Sequence, residues 1–159
     1  IFVYRIALSG FLLQNTQLYS KNFRKTVMAD DVAELNPSLI MAASLIYMSS
    51  IDGTIAQQEW GQLKTVVGGD DDLLETGLDY VRDTPLDKFL QDASPMLNAE
   101  QKKCVLLNVY DSLLSDGSIE PEETKLFDKF LDKFDVSKDS LSSDLATLAV
   151  KNNTKVVGI

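Results

Sequence analysis

Shifted by 64 residues against itself, the sequence repeats an acidic turn. Ile51-Asp52-Gly53-Thr54-Ile55-Ala56-Gln57-Gln58-Glu59 falls on Ser115-Asp116-Gly117-Ser118-Ile119-Glu120-Pro121-Glu122-Glu123. Each copy reads Asp-Gly-[Thr/Ser]-Ile with a glutamate four residues beyond the isoleucine; an apolar helical stretch precedes it and an amphipathic one follows. A chain that carries one helix-turn-helix unit twice hides both apolar faces by packing the units together. The expectation is an all-α, bihelical, pseudo-twofold bundle of about seven or eight helices with an N-terminal helical arm, the two acidic turns being equivalent positions of its halves.

Periodicity and caps place the helices. Asn36-Pro37 reads as an N-cap followed by proline at the first helical position, opening a helix to about Ile51 with Leu39, Ile40, Ala43, Ile46 and Tyr47 on one face. A second runs from about Gln57 to Val67 and stops at Gly68-Gly69. Asp70-Asp71-Asp72 starts a third, to about Arg82; Thr84-Pro85 starts a fourth, to about Ala93, which Ser94-Pro95 ends. Asn98 caps a fifth, to about Ser115, with Cys104, Leu107, Val109, Tyr110 and Leu113 apolar. Residues 121–134 give the cleanest stripe, Leu126, Phe127, Phe130, Leu131 and Phe134, and Ser137 caps a last helix to about Lys151 ahead of a short tail.

Composition narrows the chemistry. The chain has no histidine and one cysteine, which removes the usual general base near neutral pH, catalytic triads and the common zinc ligand sets. Cys104, in an apolar-facing run, is expected to be a buried structural thiol. Paired carboxylates can do acid-base work, but no nucleophile or phosphate-cradling glycine loop accompanies them, so the chain reads as non-enzymatic.

Charge divides the chain in two. Residues 1–27 hold Arg5, Lys21, Arg24 and Lys25 and no acid, leaving 11 cations against 24 acids, a net −13, on residues 28–159. Such a body repels nucleic acid and attracts cations or basic partners. The basic apolar segment 1–27 is too short in its apolar run to span a bilayer, so no transmembrane span is expected. Three readings are open for it. It packs as a helix on its own domain through Phe11, Leu12, Leu18, Tyr19 and Phe23. Alternatively it docks on a protein partner or membrane surface with Arg5, Phe11, Leu12, Tyr19, Lys21, Phe23, Arg24 and Lys25, or it is a retained targeting segment. The compartment expected is cytoplasmic or organellar, at most peripheral to a membrane.

Each acidic turn matches the second half of a calcium loop, with Asp, Gly, an apolar residue and Glu at positions 5, 6, 8 and 12. The first half fails: Met48 and Ser50 in one copy, and Ser112 and Leu114 in the other, stand where oxygen ligands belong, on residues expected to be helical. A structural account competes. Gly53 and Gly117 can end helices, Ile55 and Ile119 can enter the core, and Glu59 and Glu123 fall at the third helical position, where a carboxylate satisfies free backbone N–H groups. Ala56 and Glu120 at the N-cap lack the Ser or Thr half of a capping box. The functional account groups Asp52 with Glu59, and Asp116 with Glu120, Glu122 and Glu123, as oxygen ligands selecting a hard cation, Ca²⁺ or Mg²⁺. Asp111, five residues before Asp116, stands off that group.

The duplicated apolar helix, Asp-Gly-x-apolar turn and acidic helix start resemble the TerB family, named for tellurite resistance and also found in a membrane-anchored co-chaperone. Met41 to Gly53 is similar to the family's first copy and Val105 to Glu123 to its second, over residues 36–135. The resemblance implies an all-helical domain whose acidic surface, Asp52, Glu59, Asp116 and Glu123 here, binds a divalent metal, in stress-response or membrane-linked assemblies. Ala56, Gln57 and Gln58 depart from the family's more polar or acidic pattern. The expected function is a cation-binding adaptor; the alternative is an assembly subunit docked through residues 1–27.

Overall fold

The computed structural model describes residues 4–5, 33–51, 54–55, 57–114 and 119–158. Among these, seven α-helices carry the architecture: α1 (Pro37–Ser49), α2 (Gln57–Val66), α3 (Asp71–Asp83), α4 (Leu86–Ala93), α5 (Ala99–Leu113), α6 (Pro121–Phe134) and α7 (Ser142–Asn152). The all-helical expectation holds. One two-residue antiparallel ladder accompanies the helices, β1 (Tyr4–Arg5) on β2 (Thr54–Ile55), with Tyr4 opposite Ile55 and Arg5 opposite Thr54. Residues 4–5 are therefore extended and not helical as the arm was expected to be, in keeping with the aromatic and β-branched side chains of the ladder. The rest of the arm lies outside the described residues.

Helix α1 is the centre of the bundle. The Leu39 N–H donates to Asn36 Oδ1 at 3.0 Å and Pro37 occupies the first turn, so the sequence signal for the start holds. Burial extends beyond the expected face: Leu39, Ile40, Ala42, Ala43, Ser44, Leu45, Ile46 and Met48 are all buried. The reason is that α1 packs against both α3 and α5, and a helix enclosed by neighbours is apolar nearly all round. Its small residues set the spacing to α3. A Cβ built on Gly77 would stand 3.0 Å from Ile46 Cδ1 and 3.3 Å from the Ala42 Cβ, so only glycine lets α3 lie this close without displacing Ile46.

Helix α5 carries the second half, packing on α6 and α7, while α4 packs on α6. Phe127, Phe130, Leu131 and Phe134 of α6 are buried as expected and Leu126 is half-buried. Each fully buried side chain of this size contributes roughly 1.5–3 kcal/mol. The helix ends at Asp135, the one non-glycine described residue with positive φ (54°), where the Val136 N–H returns to the Leu131 carbonyl oxygen. Gly68 and Gly69, both at positive φ, close α2 as expected.

Two expectations need correction. Cys104 is exposed. The buried positions of α5 are Val105, Leu106, Val109 and Leu113, a face set by α1, and Cys104 lies outside that face. Ser137 does not cap the last helix directly: a 3₁₀ turn, Lys138–Leu141, intervenes and buries Leu141 before α7 begins at Ser142.

The repeat is visible in the helix boundaries. Ser49 ends α1 and Leu113 ends α5, while Gln57 begins α2 and Pro121 begins α6, each pair separated by the same 64 residues as the motif.

Candidate functional site

A cleft of about 580 Å³ lies where the last turns of α1 and α5 meet α2, the start of α6 and the end of α7. Each helix presents one face to it. From α2 come Glu59, Gln62, Leu63 and Val66, spaced i, i+3, i+4, i+7, and from α1 come Leu45, Met48 and Ser49. Asn108, Asp111, Ser112 and Leu113 of α5, Glu120, Glu122 and Glu123 at the start of α6, and Lys151 and Asn152 of α7 complete the lining. Leu45, Met48, Leu63 and Leu113 are buried beneath it, so the floor is apolar and the rim carries carboxylates.

Local sequence fixes the α6 carboxylates. Pro121 sets the first helical position, and the Glu123 carboxylate, two residues on, reaches back to accept the Glu120 N–H at 2.7 Å. That interaction is the structural role anticipated for Glu123, and it occupies Oε2; the Glu120 side chain accepts the Glu123 N–H in return, so Glu120 supplies the half of the capping box it was expected to lack. Carboxylates at this helix start also face the positive end of the helix dipole. The matching core role of Ile55 is present, fully buried, and Ile119 packs half-buried against the core.

Asp111 is held from across the bundle. Lys151 Nζ lies 2.5 Å from its Oδ2 and Asn152 Nδ2 donates to Oδ1 at 2.6 Å. Asp111 thus lines the same cleft as the α6 acids although sequence spacing set it apart from them. Lys151 and Asn152 were missed as site residues, and no local signal identifies them: they stand 40 and 41 residues from Asp111 and meet it only through α5–α7 packing.

Of the residues expected to bind a cation, Glu59, Glu120, Glu122 and Glu123 line this one cleft, whereas Asp52 and Asp116 lie outside the described residues. Among the described residues, no group of three or more Asp, Glu, His or Cys side chains is close enough to hold a metal ion. The donor set is all oxygen and suits a hard cation that keeps part of its water shell. A calcium loop is excluded in the described parts of both turns, because α1 continues through Met48 to Ser49 and α5 through Ser112 to Leu113.

Of the expected docking residues, Phe11, Leu12, Tyr19, Lys21, Phe23, Arg24 and Lys25 lie outside the described residues, and Arg5 belongs to β1. No helix of the described residues is long and apolar enough to cross a membrane. No family model matches the chain, and neither a curated protein nor a solved structure matches it.

Proposed function

We propose that the chain is a non-enzymatic, TerB-like adaptor domain whose acidic cleft binds a divalent cation, Ca²⁺ or Mg²⁺. The observation that carries the reading is that Glu59 and Glu123, corresponding residues of the two sequence copies, line one cleft together with Asp111, Glu120 and Glu122. A pseudo-twofold bundle brings equivalent turns to opposite sides of its axis, and the shared helix boundaries are what such a bundle requires. Asp52 and Asp116 join the ligand set on the strength of the repeat alone. With few protein carboxylates per ion and water completing the shell, affinity is modest, in the range of weak extracellular-type calcium sites at about 10⁻⁴–10⁻³ M.

Calorimetric titration with calcium and with magnesium tests this. The variants Asp116→Asn and Glu123→Gln are informative because glutamine at the third helical position still accepts the Glu120 N–H, so the cap survives while the charge is lost. The expected result is that each weakens cation binding severalfold, with Glu123→Gln losing only the helix-dipole interaction, about 0.3–1 kcal/mol of stability. Cation affinity unaltered in the double variant would end the assignment.

A further inference from the structure

A cation alone leaves most of the cleft unexplained. Calcium needs oxygen ligands at 2.3–2.6 Å, whereas the cleft encloses about 580 Å³ over a floor of Leu45, Met48, Leu63 and Leu113. That volume lies in the range of sites that engulf organic groups, roughly 300–1,000 Å³. Its edges are also apolar: Ile51 and Val66, two of the six exposed large hydrophobics among the described residues, flank it at 40% and 42% exposure. Above this apolar surface stand Glu59, Glu120 and Glu122, on a body with net charge −13 over residues 28–159. Lys151, the one cation among the described lining residues, is paired with Asp111, and Lys125 stands 3.8 Å from Glu122 in an exposed ion pair that an incoming cation would exchange at little cost.

We infer that the groove docks a basic amphipathic helical segment of a partner protein, whose apolar side chains enter between Ile51 and Val66 while its lysines or arginines meet Glu59, Glu120 and Glu122. The inference rests on the cleft being a binding site, as the proposed function requires, and names its macromolecular occupant. The surface is walled by helices and apolar at the bottom, the geometry in which an amphipathic helix lays its i, i+3, i+4, i+7 face. Charge complementarity at the rim selects a basic segment over an acidic one and raises its association rate.

The probe is a synthetic leucine-lysine peptide of about 18 residues, five helical turns, with leucines on one face, compared by fluorescence anisotropy with a peptide of the same composition in scrambled order. On the full chain the amphipathic peptide is expected to bind saturably and at least tenfold more tightly than the scrambled one. Ile51→Ser with Val66→Ser, both at exposed positions, is expected to weaken it about tenfold, and Glu122→Gln severalfold. Equal affinity for both peptides, or indifference to the Ile51→Ser/Val66→Ser variant, would overturn the inference. Calcium calorimetry on the same samples separates the two readings. Calcium binding without selective peptide binding removes the docking inference and leaves the cation site standing; peptide binding without calcium binding does the reverse.

Discussion

Tyr47 is half-buried on α1, and its hydroxyl donates a short hydrogen bond to the carbonyl oxygen of Thr84, whose residue is itself buried. Burial, with a smaller contribution from the neighbouring Tyr80 hydroxyl, pushes the Tyr47 phenol well above the ordinary tyrosine value of 10.0. The sign of the linkage follows. Above pH 10 the unfolded chain releases this proton while the folded chain retains it, so the folded state binds more protons and stability falls as pH rises. Below pH 10 the contribution is fully present. Tyr47→Phe is therefore expected to cost about 1 kcal/mol at pH 8, the net worth of one hydrogen bond, and to flatten the loss of stability between pH 10 and 11.5. Urea denaturation of both proteins across that window checks it; parallel slopes would show that Tyr47 ionises in the folded protein as readily as in the unfolded one. Tyr80, also raised chiefly by burial, leaves a residual slope in the variant.

At the scale of elements, α7 is loosely attached. Leu145 is its only buried residue, and its far end is tied to α5 by Lys151 and Asn152 on Asp111. An ion pair with the lysine more than half exposed contributes little, about 0.2–1 kcal/mol, and the amide hydrogen bond about 1 kcal/mol. Asp111→Ala is expected to speed amide hydrogen exchange of α7 by about eightfold to thirtyfold, leaving α1 unchanged because its protection comes from the core. Mass-spectrometric exchange resolves the two helices, and equal acceleration in both would mean that Asp111 supports the whole bundle. The start of α6 was legible because Pro121 fixes it, and its length because the spacing of Phe127, Phe130, Leu131 and Phe134 suits only a helix. The start of α7 was not. Leu141 reaches the core through a 3₁₀ turn after Ser137, a choice made by the surface it packs on. Cys104 was misplaced for a related reason: several faces of α5 are apolar enough to be buried, and the position of α1 decides which one is.

At the scale of the whole molecule, the sequence repeat paired Glu59 with Glu123 but carried no information that both line one cleft, nor that α7 brings a lysine into it. Those facts depend on how two helix pairs and a fifth helix converge. Their convergence allows a cation site to be distinguished from simple charge screening. Net charge −13 over residues 28–159 means that any salt stabilises the fold by weakening self-repulsion, within a Debye length of about 10 Å at 0.1 M. A specific site adds RT ln(1 + [L]/Kd), about 1.4 kcal/mol at ten times Kd, and for a chain of this size that corresponds to a rise in Tm of roughly 3–6 °C. Calcium chloride is therefore expected to raise Tm above sodium chloride at equal ionic strength. Glu59→Gln combined with Glu123→Gln should abolish that excess while retaining the common screening effect. Because Lys151 already neutralises Asp111, Lys151→Ala should enlarge the calcium excess by releasing a carboxylate into the cleft. Sodium, magnesium and calcium giving the same shift at matched ionic strength would reduce the acidic cleft to a diffuse charge effect.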